Sequence, residues 1–458
     1  MRWTVAEIAA ATAGEVAASS GSASGRAAGG TVAAGDAVVE GVGVDSRRLV
    51  AGSLFVAIRA ERDGHAFVGA AVDAGAAAVL VDRRWTVPGD LAVPAVCVED
   101  TARALLGLGA AARARLAGEV VGVTGSVGKT STKDMASAAL ATSLRTWSSE
   151  RSFNNDLGVP LTLANTPDGV EVAVVEMGTR GRGDIRRLCT VARPTIGVVT
   201  AVTAAHTELL GDLDHVAEAK RELVESLPDS GTAILNADDP RVAAMARHTA
   251  AEALLFSAEG SPAADVVAGD ITLDSELRPS FAVRTPWGKT RARLVARGAH
   301  QVPNALAALA VAGACGVPVV AAAESLSHAE LSPWRMELLR SPAGAVVLND
   351  AYNANPASMA AALTALAQLP AQRRIAVVGE MAELGERSAA DHRAVADLAG
   401  RLGVELIAVG TRAYGVPPLD GVDAAAAALS GLGVGDAVLV KASRVAGLER
   451  LAALLAAG

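Results

Sequence analysis

The run Gly125-Ser126-Val127-Gly128-Lys129-Thr130-Ser131 has the residue types and spacing to hold a chain of phosphates. It follows an apolar, β-branched stretch, Glu119–Thr124, and precedes a segment predicted to be helical over Lys133–Ala141. In a strand–loop–helix setting, glycines let backbone N–H groups wrap phosphate oxygens at the helix N-terminus. Lys129 then reaches the β and γ oxygens, and the Thr130 hydroxyl is placed to ligate Mg²⁺. The strict pattern has Gly at position 123; here Val123 stands there and Gly122 lies one place earlier. A plain glycine-rich turn is the alternative, but Gly-Lys-Thr directly after a strand argues for phosphate.

Other polar residues gather at predicted strand ends, the edge where ligands bind in a doubly wound sheet. Glu176 ends the run Glu171–Glu176 and stands where a Mg²⁺ ligand belongs, although Asp is the commoner residue there. His206 follows the run Thr195–Val202 on the same edge, where a ligand role and a structural role stand level. Asn154 and Asn155 are adjacent amides, which either make a turn or bind a polar ligand; spacing does not choose between them. Asp350-Ala351-Tyr352-Asn353-Ala354-Asn355-Pro356 ends a later strand and reads as a ligand site, with an Asn-Pro turn as the alternative.

These groups need sheets to position them. At ~150 residues per domain, 458 residues predict about three domains. Residues 1–99 alternate short apolar runs (Leu54–Ile58, Ala77–Val81, Ala95–Val98) with Ala-rich stretches, as in a small α/β unit. From about 118, near-continuous β-branched runs separated by helices indicate a parallel sheet covered on both faces. Alternating strands fill Asp265–Val295, and a helix begins near Asn304. A boundary near Ser327–Pro333 precedes a second doubly wound domain. The fold class is therefore α/β, with divisions expected at 1–99, 100–327 and 328–458.

Composition narrows the function classes. With 51% hydrophobic residues the chain can bury several cores, which excludes global disorder. A net charge of −8 argues against a nucleic-acid binder, which carries a basic footprint. Cys97, Cys189 and Cys315 form neither a disulfide framework nor a Cys-x-x-Cys pair, as expected in a reducing compartment. Glu7 and Glu15 interrupt any apolar signal segment. The uncharged stretch Gln301–Ala323 is broken by Gly313, Gly316 and Pro318, predicting two buried helices with a turn between them. No membrane insertion and a cytoplasmic location are expected. Finally, the chain has five lysines (129, 133, 220, 289, 441) against 36 arginines. Where charge alone suffices it uses Arg, so its lysines point to places that need an ammonium or an amine.

Together these residues resemble the Mur ligases, most closely the members that add D-alanyl-D-alanine, over nearly the whole chain. The resemblance rests on VDSR at 44–47, DGHAF at 63–67, GVTGSVGKTS at 122–131, SFNND at 152–156 and VVEMGTRGRGDI at 174–185. It continues with AAH at 204–206, EAKREL at 218–223, LNADDPRV at 235–242 and GAHQVPNALAALA at 298–310. SPWRMEL at 332–338, DAYNANPASM at 350–359 and GEMAELGERS at 379–388 complete it. DAYNANPASM with GEMAELG is the most specific part. Ala60, Asp184 and Ala442 depart from the usual Gly, His and Gly.

The resemblance implies a three-domain Mur ligase architecture: an N-terminal domain for a uridine nucleotide, a central P-loop parallel-sheet domain for ATP, and a C-terminal Rossmann-like domain for the incoming dipeptide. It implies an ADP-forming amide ligase of peptidoglycan synthesis, extending UDP-MurNAc-tripeptide with D-Ala-D-Ala through an acyl phosphate. Carried over, Lys129, Glu176, His206 and Lys220 would be catalytic, with two Mg²⁺ held by Thr130, Glu176, His206 and Lys220. Lys220 would carry a carbamate formed with CO₂, giving oxygen ligands that Arg could not. Asn304 would contact adenine, Arg335 and Asp350 phosphate and ribose; Ser46, Arg47, Asp63 and His65 the uridine nucleotide; Asn154 and Asn155 substrate; Asn353 and Asn355 the dipeptide. A single-chain enzyme is expected, binding small molecules and no nucleic acid. Two rivals stand beside this reading: a family ligase with another substrate, and a P-loop regulatory ATPase that turns over ATP without either substrate.

Overall fold

A computed structural model describes residues 1–17, 33–150, 152–203 and 212–457. The chain divides into two compact units, the first made of 1–122, 145–177 and 186–194, the second of 123–144, 178–185 and 195–458. Strand Glu119–Thr124 runs from the first into the second, the division falling after Gly122.

The first unit holds a five-stranded sheet in the order 15–17, 95–98, 78–82, 54–56, 42–43. Its last four strands are parallel and the edge strand Glu15–Ala17 is antiparallel. Leu54–Val56 and Ala78–Asp82 are buried at every residue, as expected for parallel strands covered on both faces. Phe55, Val68, Val79 and Val81 form part of that core. Helix Thr101–Arg115 starts at Asp100, whose carboxylate accepts from the N–H groups of Ala102 and Arg103, and buries Ala104, Leu105, Leu108 and Ala112. Gly109 lets helix Gly158–Ala164 approach: a Cβ there would stand 2.5 Å from Pro160 Cβ. Strand Val172–Glu176 pairs in parallel with Thr146–Ser148 and is buried throughout.

The second unit holds two sheets. In one, Ile196–Val199, Thr232–Asn236, Glu252–Ser257 and Val266–Leu273 run parallel, then Pro279–Thr285 and Gly288–Arg293 continue antiparallel. Helix Val302–Ala314, apolar nearly all round, is buried at eleven of its positions, and Val319–Ser325 follows it. These are the two helices expected in 301–323; among the described residues, no helix is long and apolar enough to cross a membrane.

The other sheet has the order 337–340, 346–349, 436–441, 373–378, 405–408, all parallel except its first strand. The boundary expected near 327–333 lies inside this unit. A hairpin tip from the first sheet crosses it: Leu277, held at φ +66°, is 1% exposed within the core that contains Leu348, Met359 and Leu439.

Candidate active site

The phosphate-binding loop is built from the strand upward. Val123 lies inside strand Glu119–Thr124 and is fully buried, so the loop opens at Gly125. Gly125 sits at φ +148° and Gly128 at φ +82°. A Cβ on the first would strike Thr200 Oγ1 at 1.8 Å, and on the second Asn304 Oδ1 at 2.3 Å. Only glycine fits either place. The helix begins at Lys129, not at 133 as expected, and runs to Leu140, so the loop lysine lies in its first turn.

Neighbouring side chains brace the loop. Thr200 Oγ1 donates to Val127 O at 2.6 Å, and Ser126 Oγ donates to Thr203 O and accepts from Thr203 N, each at 3.0 Å. Lys129 Nζ donates to Gly125 O at 2.8 Å, folding back over the loop that it would share with phosphates. Asn304, 8% exposed, places its amide against this loop; its Nδ2 donates to Gln301 Oε1 at 2.9 Å. Ser131 is buried on the first turn.

The segment 332–336 lies along the same helix. Asp134 Oδ2 accepts from Ser332 N at 2.7 Å while Oδ1 meets Lys133 Nζ at 2.9 Å. Arg335 Nη2 donates to Thr130 Oγ1 at 2.7 Å, and its guanidinium lies 4.3 Å over the Tyr352 ring. Arg335 Nε is buried with no partner, a donor that an anion can satisfy. Trp334 and Met336, on either side, hold left-handed φ of +61° and +53°. Such backbone costs on the order of 1–2 kcal/mol per residue and persists where its surroundings determine it. Here Arg444 stacks 4.3 Å over the Trp334 ring, and Met336 N donates to Asp350 Oδ1 at 3.1 Å.

Asp350 ends strand Val346–Asn349 and meets Lys441 Nζ at 2.5 Å. Asn353 is exposed, its Oδ1 accepting from Ala354 N. Asn355 is 7% exposed and caps helix Pro356–Gln368 in a reciprocal box with Ser358, so the Asn-Pro turn weighed for this stretch is present. Ala442 is fully buried and its methyl faces Gly379, where a Cβ would come within 2.8 Å. The glycine opposite thus makes room for the alanine that departs from the family's pattern. Asp184 also has a place: its Oδ2 accepts from Arg180 N and Gly181 N, closing that loop.

Lys220 sits in helix Leu213–Glu225, capped by Asp212, and is 3% exposed. Burial pushes its pKa well below the ordinary lysine value, and the like charge of Lys129 adds to the shift. His206 lies outside the described residues.

Within the first unit, Glu176 ends its strand 1% exposed, with Oε1 accepting from Asn154 Nδ2 at 2.8 Å and its N–H donating to Ser149 Oγ at 3.2 Å. Asn155 turns the other way: its Oδ1 accepts from the N–H groups of Leu157 and Gly158 and starts a helix. Of the paired amides, Asn155 makes the turn, while Asn154 binds a carboxylate of the protein itself.

On the same unit, Asp45 Oδ1 accepts from Arg47 N, and the Arg47 guanidinium beside it holds its pKa down at about 2. Ser46 is half-buried and Arg47 exposed next to it. Asp63 Oδ1 accepts from His65 N at 3.0 Å and from His65 Nδ1 at 2.6 Å, while His65 Nε2 accepts from Asp82 N at 3.0 Å. Both ring nitrogens are thus occupied, and the backbone N–H at Nε2 places the ring proton on Nδ1. His65 itself is buried, whereas the Asp63 side chain it orients is partly exposed.

Residues given no role from sequence also take part: Thr200, Asp134 and Arg444, together with Tyr352 and Lys441. Two of them left a signal, Lys441 as one of five lysines and Tyr352 inside the stretch 350–356.

Comparison with known proteins bears on the family and the fold. The Mur ligase middle domain matches residues 123–312, and the Mur ligase glutamate ligase domain matches 334–444. The UDP-N-acetylmuramoyl-tripeptide–D-alanyl-D-alanine ligase of Mycobacterium tuberculosis is 40% identical, covering 90% of this chain and 91% of its own. The Escherichia coli enzyme of that name is 35% identical over 84% and 85%. The crystal structure of MurF from Acinetobacter baumannii superposes with a TM-score of 0.85 at 28% identity, covering 100% of this chain and 99% of that one. MurF from Thermotoga maritima, solved in complex with ADP, gives 0.79 at 28% identity, over 92% and 97%. By sequence and by fold, this chain belongs to the Mur ligase family.

Proposed function

We propose that this chain joins D-Ala-D-Ala to the terminal carboxylate of UDP-MurNAc-tripeptide at the expense of ATP, giving the UDP-MurNAc-pentapeptide precursor of peptidoglycan. The observation that carries this reading is the meeting of a phosphate-loop helix and a linker arginine at Thr130. Three parts serve the reaction: 1–99 for the uridine nucleotide, 100–327 for ATP and 328–458 for the dipeptide. The substrate names are those of the relatives, at 40% identity across nine-tenths of this chain.

The reaction has to bring two anions together. A carboxylate oxygen attacks the γ-phosphorus and ADP leaves. The dipeptide amine then attacks the acyl carbon, and inorganic phosphate and a proton depart as the amide forms. Lys129 and the loop N–H groups oppose the charge on the phosphates. Arg335 reaches the same phosphates with Nη2 and its unpaired Nε. Asn304 orients the base, Asp350 the ribose, and Asn353 and Asn355 the dipeptide side. Ser46, Arg47, Asp63 and His65 hold the uridine nucleotide.

The donor set fits Mg²⁺, a hard ion that takes one or two carboxylates and completes its shell with phosphate and water. Phosphate oxygens would complete the shell of each ion. Thr130, Glu176, His206 and Lys220 would supply ligands for Mg²⁺, which when bound would neutralise charge on the phosphates and the carboxylate. Asn154 fixes the Glu176 carboxylate for that purpose. Lys220 fits a carbamate because its amine is buried, and burial favours the neutral nitrogen that would bond to the carbon of CO₂ and release a proton.

Isotope transfer tests the route. With ¹⁸O in the tripeptide carboxylate, the released inorganic phosphate should carry one ¹⁸O. Unlabelled phosphate alongside amide product would eliminate the acyl phosphate.

A further inference from the structure

Lys441 ends strand Asp436–Lys441 and is 2% exposed. Three oxygens converge on its one nitrogen: Asp350 Oδ2 at 2.5 Å, Asn353 O at 2.8 Å and Asp350 O at 3.4 Å. They come from the two ends of the strand-end loop 350–353, whose Asp350 is proposed for the nucleotide and whose Asn353 is proposed for the dipeptide. Asp350 also accepts from Met336 N, next to Arg335, and donates its own N–H to Val440 O at 2.9 Å.

An ammonium has three donors on one atom, free to rotate onto three acceptors. A guanidinium is a flat fork and cannot place three N–H groups from one nitrogen around such a point. In a chain that uses Arg 36 times and Lys five, retention of Lys here fits that need. Burying an ammonium is expensive, and two charges or dipoles per site usually repay it only when geometry is well matched. A lysine serving only to join two strands would need one acceptor. This one ties side chain and main chain of a loop whose ends serve different substrates.

We infer that Lys441 is a positioning residue that holds Asp350 and Asn353 at a fixed spacing, so that the ribose-side and dipeptide-side contacts form in register. The inference rests on the assignment of Asp350 to nucleotide and Asn353 to dipeptide.

Steady-state kinetics of the full chain test it, using Lys441→Met and Lys441→Arg at a temperature where circular dichroism shows native structure. Both variants should raise the KM for ATP and for D-Ala-D-Ala together, each by about tenfold, modest beside the hundredfold that a 1 Å misplacement can cost. The KM for UDP-MurNAc-tripeptide should stay within about twofold, as expected for a binding step left untouched. Asp350→Ala and Asn353→Ala are the controls, each shifting one KM, the first for ATP and the second for the dipeptide. Folded Lys441 variants with both KM values unchanged, or only one raised, would overturn the inference. So would failure of both variants to fold, because an architectural role then suffices. Controls that shift neither KM would bring down the site assignment itself, a distinct outcome that removes the inference with it.

Discussion

Arg335 donates from Nη2 to Thr130 Oγ1 at 2.7 Å while its Nε stays buried without a partner. The hydroxyl expected to face Mg²⁺ thus accepts from the arginine expected to face phosphate. Phosphates arriving at the loop give both groups an anion to satisfy. Arg335→Lys keeps the charge but loses the fork and the stack on Tyr352. It should raise the KM for ATP by about tenfold, the worth of one charge-assisted hydrogen bond, and leave the KM for D-Ala-D-Ala nearly unchanged. An equal rise for both substrates would move Arg335 away from the phosphates.

Lys129→Ala should lower kcat by about 10²–10³ or more, since this ammonium opposes charge that grows on the transferring phosphate. Lys129 is half-exposed and one of its hydrogen bonds is to Gly125 O, so circular dichroism should show the variant still folded. Near-normal turnover would refute the loop assignment.

Glu176→Gln preserves an acceptor for Asn154 Nδ2 while removing the charge and replacing the other oxygen with an amide donor. The Mg²⁺ concentration for half-maximal activity should rise by about tenfold or more, while thermal unfolding without Mg²⁺ stays close to that of the parent. Metal dependence that does not move would free Glu176 from any ligand role.

For Lys220 the sign follows from burial. Its native pKa lies well below the usual 10.5, so between the native value and 10.5 the unfolded chain binds the extra proton. Stability from this group therefore rises with pH across that window, and Lys220→Met should flatten the slope. Activity should fall as pH drops through the native value, because a protonated amine cannot take up CO₂, and CO₂-depleted enzyme should recover with bicarbonate. Lys220→Ala should regain part of its activity with short-chain carboxylic acids, and Lys220→Arg should stay inactive. A fully active Arg variant would end the carbamate proposal.

What could be read along the chain was what neighbouring residues decide. Gly-Lys-Thr after a β-branched run is local, as are the fully buried parallel strands and the break at Gly313 to Pro318. Element ends were less legible. The strand expected over Thr195–Val202 stops at Val199, because Thr200 and Thr203 turn to brace the phosphate loop. The helix starts four residues early for a related reason: positive φ at Gly128 lets Lys129 enter the first turn directly. Pairs that build the site join residues far apart in sequence, 205 positions for Thr130 and Arg335 and 91 for Asp350 and Lys441. No periodicity encodes such a pair. Asn154 and Asn155 show the same limit: identical residue types, split between a carboxylate and a turn by what tertiary packing sets opposite each.

The central claim is that ATP is spent to make one amide bond between two particular substrates. The direct measurement is ADP release and product mass with ATP and Mg²⁺, adding UDP-MurNAc-tripeptide and D-Ala-D-Ala singly and together. The account predicts low ADP release with either substrate alone. With both, it predicts sustained release matched mole for mole by UDP-MurNAc-pentapeptide. Sustained ADP release that ignores both substrates, or turnover with no pentapeptide, would contradict it.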